Sequence, residues 1–211
     1  MSALEKSYSL PAPRRITASN LPLPSDHATD DHAEPGVEVK VDNLEVQSLF
    51  DGSFRRAVIG TSKQMPTKND GQALLTYPSG ELPLDDVPGA GIVMPGGLNT
   101  YYLDIAPGTE GALHRTTSTD YIIVISGNLS LITPTSDVYH IKDGKATCAD
   151  DLIETVAHPG DVIYQRGPIH ALSNRSNEWV RALCVVLGSE PNKVPIEKAD
   201  SHKELQDQWL A

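Results

Sequence analysis

The chain is poor in cysteine, tryptophan and phenylalanine, with two of each, and its 17 lysines and arginines face 28 aspartates and glutamates. Each shortage excludes something. Cys148 and Cys184 are widely spaced and form no CxxC pattern, so neither a disulfide framework nor a thiolate metal centre is expected and both should be free thiols. A formal charge of −11 argues against nucleic acid, whose phosphates call for clustered Lys and Arg that release counterions on binding. The acidity reads as solubility. No run approaches the roughly 18 apolar residues needed to cross a bilayer, and MSALEKSYSLPAPRR has no apolar stretch followed by a cleavage site. The expectation is a cytoplasmic protein with no membrane partner.

At 211 residues the chain has room for one well-buried domain with extensions. Residues 1–36, with Pro11, Pro13, Pro22, Pro24 and Pro35 and the polar run SDHATDDHAEPG, carry too little apolar content for a core and read as an extended N-terminal arm. His27 and His32 lie in it as solvated loop residues. Residues 37–190 change character, with short runs rich in Val, Ile, Tyr and Leu such as VEVKVDNLEVQSLF, GLNTYYLDIAPG, DYIIVISGNLSLITP and WVRALCVVLG, separated by turn residues. This pattern means an all-β fold of antiparallel strands. In the tail, 191–211, Ser201 and Glu204 are spaced as a capping box, with Leu205, Trp209 and Leu210 on one face, and a short C-terminal helix is expected. Trp209 should then pack against the domain or a second subunit.

Two Gly-bounded β segments carry the polar side chains that matter. The first is Gly108-x5-His114-x-Thr116-x3-Asp120-x6-Gly127, and the second is Gly160-x4-Gln165-x-Gly167-x2-His170-x3-Asn174. Their spacing resembles the paired motifs of the cupin superfamily, in particular its small single-domain members from microbial and fungal secondary metabolism. The resemblance, centred on about 90–190, implies a jelly-roll β-barrel, in which terminal strands are commonly exchanged in a homodimer. It also maps His114, Asp120 and His170 onto three of the four metal-ligand positions. Thr116 stands where the second His of the first motif would be, Asp120 where a Glu would be, and Gln165 where a Pro would be.

Those substitutions leave alternatives open. Two imidazoles and a carboxylate suit Fe, Zn, Mn or Ni, yet Asp is one methylene shorter than Glu and falls roughly 1.5 Å short, against a tolerance of ~0.2 Å in ligand distances. The same three residues can work without an ion, the carboxylate orienting an imidazole that acts as base. The preferred reading is therefore lyase or isomerase chemistry on a small carbonyl-bearing organic acid or polyketide-like metabolite, by dehydration, decarboxylation or enolisation. A non-haem Fe(II) dioxygenase built on His114, Asp120 and His170 is the alternative, and a non-catalytic small-molecule binder is the third. Arg166 and Thr116 are candidate substrate-binding residues, Arg166 as a bidentate partner for a carboxylate. Strand alternation places Arg115 on the face opposite His114. One of Tyr101, Tyr102, Tyr121 and Tyr164 could lend the cavity a phenol, whereas His140, His158, Asn174 and Gly127 read as structural.

Overall fold

The computed structural model describes residues 7–69, 74, 79–135, 138–146 and 152–210. In chain order the strands among them are β1 Arg14–Asn20, β2 Val37–Asn43, β3 Gln47–Leu49, β4 Phe54–Ser62, β5 Leu98–Ile105, β6 His114–Arg115, β7 Ser118–Ser126, β8 Leu129–Pro134 and β9 Ile141–Lys142. They continue with β10 Lys145–Ala146, β11 Leu152–Ala157, β12 Val162–Gln165, β13 Ala171–Ser173, β14 Val180–Gly188, β15 Asn192–Pro195, β16 His202–Leu205 and β17 Gln208–Trp209. Helical structure among the described residues includes two 3-10 turns, Ser25–His27 and Phe50–Gly52.

The all-β expectation follows from alternation. Along β7, Ser118, Asp120, Ile122 and Val124 are buried while Tyr121 and Ile125 are exposed, the period of two that a half-buried strand imposes. Six strands pair antiparallel in the order β12-β7-β14-β5-β4-β3, and a second sheet has the order β11-β8-β13. Leu129, Ala157 and Leu172 of the smaller sheet pack against Tyr101, Ile105, Ile122, Val124, Val180, Ala182, Cys184 and Val186 of the larger one. Burying each of the larger side chains contributes about 1.5–3 kcal/mol. At the β7–β8 turn, Gly127 has φ +73°, and a Cβ there would lie 2.7 Å from the Trp179 carbonyl oxygen, so only glycine fits.

The strand pairing among the described residues gives two main sheets and small ribbons, with no closed barrel among them. The short C-terminal helix is replaced by strands: β16 pairs with β15, and β17 pairs with β6. The N-terminal arm is only partly extended loop, since β1 crosses back onto β2 in a two-stranded ribbon with Ile16 opposite Val41 and Ala18 opposite Val39. Just before this ribbon, Tyr8 donates to Asp104 Oδ2 at 2.6 Å, while Arg181 pairs bidentately with Asp104 at 2.7 Å and donates to the Pro11 carbonyl at 2.8 Å. The arm is thereby tied to β5 and β14.

Candidate functional site

The Gly108–Gly111 approach delivers β6 to the smaller sheet. Gly111 donates its N–H to Ser173 Oγ at 3.0 Å, and a Cβ at Gly111 would collide with the Leu172 carbonyl. This close passage brings His114 opposite His170, and the two exchange both backbone hydrogen bonds at 2.8 and 2.9 Å as an isolated antiparallel pair. Their rings therefore sit side by side, centroids 4.4 Å apart and planes at 51°. On the other side of His114 the indole of Trp209 lies nearly parallel, at 4.3 Å and 5°. Strand β17 holds it there, with Trp209 directly opposite His114 and Leu210 N donating to the Leu113 carbonyl.

The tautomers follow from the neighbours. His114 Nδ1 lies 2.9 Å from the Ala112 carbonyl and His170 Nδ1 lies 3.1 Å from the Pro168 carbonyl. A carbonyl only accepts, so each Nδ1 carries the hydrogen and each neutral ring keeps its lone pair on Nε2. Burial lowers the pKa of His114, with the Ala112 carbonyl opposing, and lowers that of His170 to about 4, with the neighbouring His114 adding to the effect. Both imidazoles are neutral bases at ordinary pH.

A second polar group belongs to the large sheet. Asp120 on β7 and Gln165 on β12 are directly paired residues, at 5% and 3% exposure. Burial pushes the Asp120 carboxyl up to about 6, against the opposing hydrogen bond from Ser118. Thr116 is buried and shares a 3.0 Å hydrogen bond with Ser118. His114, Thr116, Asp120, Gln165 and His170 all line one cavity of about 1440 Å³. Tyr101 and Cys184 also line it, in mutual hydrogen-bond contact, and burial raises both, the thiol to about 12. Cys184 is thus a neutral thiol, not a nucleophile; Cys148 lies outside the described residues.

Three of the remaining candidates are placed elsewhere. Arg166 is exposed and does not line the cavity, because alternation along β12 turns it away from the face that Gln165 occupies. Tyr121 and Tyr164 pack against each other on the solvent face, ring centroids 4.9 Å apart and planes at 34°. Tyr101 is the phenol that the cavity receives. Two cations of β4 reach the cavity wall: Arg55, 4.2 Å over the Tyr8 ring, and Arg56, 5.9 Å over the Tyr101 ring with its guanidinium donating to Gln47 Oε1 and the Ala90 and Gly91 carbonyls. Sequence reasoning passed over Gln165 and Arg56. For Gln165 a signal existed, a polar residue at an inward position one period from Ile163.

The donor set does not fit a tightly held metal ion. Two imidazole Nε2 atoms are available, but among the described residues no group of three His, Cys, Asp or Glu side chains could hold an ion, and side-chain sites for such ions need about three. The acid Asp120 does not orient either imidazole; the Ala112 and Pro168 carbonyls do.

No protein-family profile matches the chain. Phomopsin biosynthesis cluster protein D of Diaporthe leptostromiformis is 32% identical over 105 residues, covering 49% of this chain and 47% of that protein. The chain thus spans about half the length of the curated relatives it matches. Among solved structures, a cupin-2 domain from Rhodospirillum rubrum is 14% identical, covering 73% of this chain and 76% of that one, with a TM-score of 0.39. The polyketide cyclase RemF from Streptomyces resistomycificus is 12% identical, covering 80% and 81%, with a TM-score of 0.41. The structural neighbours are cupin-fold proteins. No helix of the described residues is long and apolar enough to cross a membrane.

Proposed function

We propose that this chain is a biosynthetic cupin of jelly-roll type that enolises a small carbonyl-bearing metabolite, as the first step of an isomerisation or dehydration, by acid–base chemistry of its own side chains. The observation that carries this reading is the pairing of two neutral imidazoles, Nδ1 held by backbone carbonyls and Nε2 free, with a buried carboxyl raised to about 6 in the same cavity. Groups whose environments push their pKa values in opposite directions supply a base and an acid together. His170 Nε2 takes the proton from the carbon next to the carbonyl, and the C–H electron pair becomes the enol C=C. Asp120 passes its proton to the carbonyl oxygen. Return of a proton at a different carbon completes an isomerisation, and departure of a β-hydroxyl as water completes a dehydration. His114, stacked on Trp209, is the second base, and the two imidazoles take one proton between them because a second charge beside the first is disfavoured. Similarity to a protein of a biosynthesis cluster supports a place in metabolite assembly. The partner is a small molecule, and the working form is a cytoplasmic homodimer.

Solvent-deuterium exchange tests this without the natural substrate. A panel of 1,3-diketones and 2-oxo acids in D2O with chelator present should exchange α-protons faster with the protein than without. His170→Ala should lower that acceleration by roughly 10²–10⁴-fold, the usual contribution of a positioned base. Acceleration that vanishes with chelator and returns with Fe(II) would favour metal chemistry instead.

A further inference from the structure

Gln165 is 3% exposed, lines the cavity, and has neither its side-chain nitrogen nor its side-chain oxygen bonded to any protein group. Asp120, directly opposite it in the β7–β12 ladder, also has a buried Oδ1 without a partner. A buried amide with both ends unpaired is a costly choice at a position where an apolar side chain would fill the same space. The neighbouring inward position on β12 is Ile163, packed against the core, so the strand accepts an apolar residue there. Thr116 bonds Ser118, the His114 and His170 Nδ1 atoms bond carbonyls, and Arg56 bonds Gln47 and two carbonyls; Arg55 Nε and Trp179 Nε1 are also buried without a partner but can only donate, so among the described cavity residues Gln165 is the side chain with both a donor and an acceptor unpaired.

From this we infer that Gln165, with Asp120 beside it, is the recognition element of the cavity and binds a ligand group that presents a carbonyl acceptor and an O–H or N–H donor on one edge. The Gln165 amide offers N–H and C=O on one edge and matches such a group with two parallel hydrogen bonds. Enols of 1,3-dicarbonyls, carboxylic acids and cis-amides share that edge; ketones without a donor, and N-alkylated amides, do not. The inference deepens the acid–base reading and rests on it for the reaction: the group that Gln165 grips is the one whose neighbouring carbon faces the imidazoles. Gln165 is a positioning residue, and its effect on chemistry passes through the orientation of the ligand.

Gln165→Met tests it, since methionine is unbranched and of similar size. Relief of an unpaired buried amide should raise the melting temperature by roughly 3–8 °C. Calorimetric titration of the full-length protein with 2-pyridone, whose N–H and C=O share an edge, should show binding that N-methyl-2-pyridone lacks and that Gln165→Met weakens by roughly tenfold or more. Benzoic acid and acetylacetone serve as the acid and enol arms and rank the ligand classes. If Gln165→Met does not accumulate as folded protein, Gln165→Leu is read the same way. A fall in melting temperature in both variants, or equal binding of 2-pyridone with and without Gln165, overturns the inference. Failure of the catalytic reading is distinguishable. Gln165-dependent binding with no α-proton exchange sinks the acid–base chemistry and leaves the recognition role, whereas exchange with Gln165-independent binding does the reverse.

Discussion

At the scale of single residues, the site is governed by what burial does to charge. Asp120 is raised from 3.8 to about 6, so its folded-state pKa lies above its unfolded value. Its contribution to stability is then fully present below about pH 3.8 and is lost as pH rises through about 6. At neutral pH the ionised carboxylate therefore weakens the fold, by on the order of 2–3 kcal/mol. Asp120→Asn should be more stable than the parent at pH 7, with the gain shrinking toward pH 4, as urea denaturation at a series of pH values would measure. His170 has the opposite sign: its pKa falls from 6.5 to about 4, so the stability it carries is present above pH 6.5 and is lost as pH falls toward 4. Replacing it with Gln should flatten the acid side of the stability curve. The same residues set metal affinity. Purified protein is expected to carry divalent metal well below one equivalent, and Thr116→His with Asp120→Glu should raise it by adding an imidazole and a longer carboxylate to the two imidazoles present; elemental analysis before and after chelator dialysis checks both.

At the scale of elements, β6 and β17 show how much of the site was legible in the sequence. The alternation that put His114 and Thr116 on one face and the Gly-bounded spacing of both motifs were sufficient to bring His114, Thr116, Asp120 and His170 to one cavity. What misled is equally specific. Ser201, Glu204, Leu205 and Trp209 satisfy helical spacing locally, but a local hairpin with Asn192–Pro195 and a long-range ladder to His114–Arg115 outweigh helical propensity, and the second of these leaves no mark in a short window. Arg166 has the charge that suits a carboxylate, but its place next to the inward-facing Gln165 turns it to solvent. The strand answer gives Trp209 a role that a helix would not have given it, as a wall against His114. Trp209→Ala should remove that stacked plane and cost about 1–3 kcal/mol, less than a fully buried indole because Trp209 is 43% exposed. The His114 ring resonances, followed by NMR, should broaden or shift while those of His158, which is tied to Asn128, stay in place.

At the scale of the whole molecule, the β1–β2 ribbon leaves an apolar face in solvent: Ile16, Val37, Val39 and Val41 are 53–67% exposed, with Ile16 opposite Val41 and Val37 opposite Asn20 across the ladder. Covering it with the same face of a second copy is the closed solution for such a surface. Sedimentation should give a dimer, and Val39→Lys with Val41→Lys should give a folded monomer. Deleting residues 1–45 is a harsher test, since it also removes Tyr8 and Pro11 from their bonds to Asp104 and Arg181. A parent protein that sediments as a monomer at micromolar concentration would rule the dimer out. In the proposed reaction the cavity works as a unit, His170 taking a proton while Asp120 gives one. The pH profile of α-proton exchange on a bound 1,3-diketone measures it most directly. A base freed at about 4 and an acid spent at about 6 predict a bell with its maximum between those values, and Asp120→Asn should remove the upper limb. Exchange that climbs steadily from pH 5 to pH 9, unchanged by Asp120→Asn, would rule out His170 and Asp120 as the base and acid.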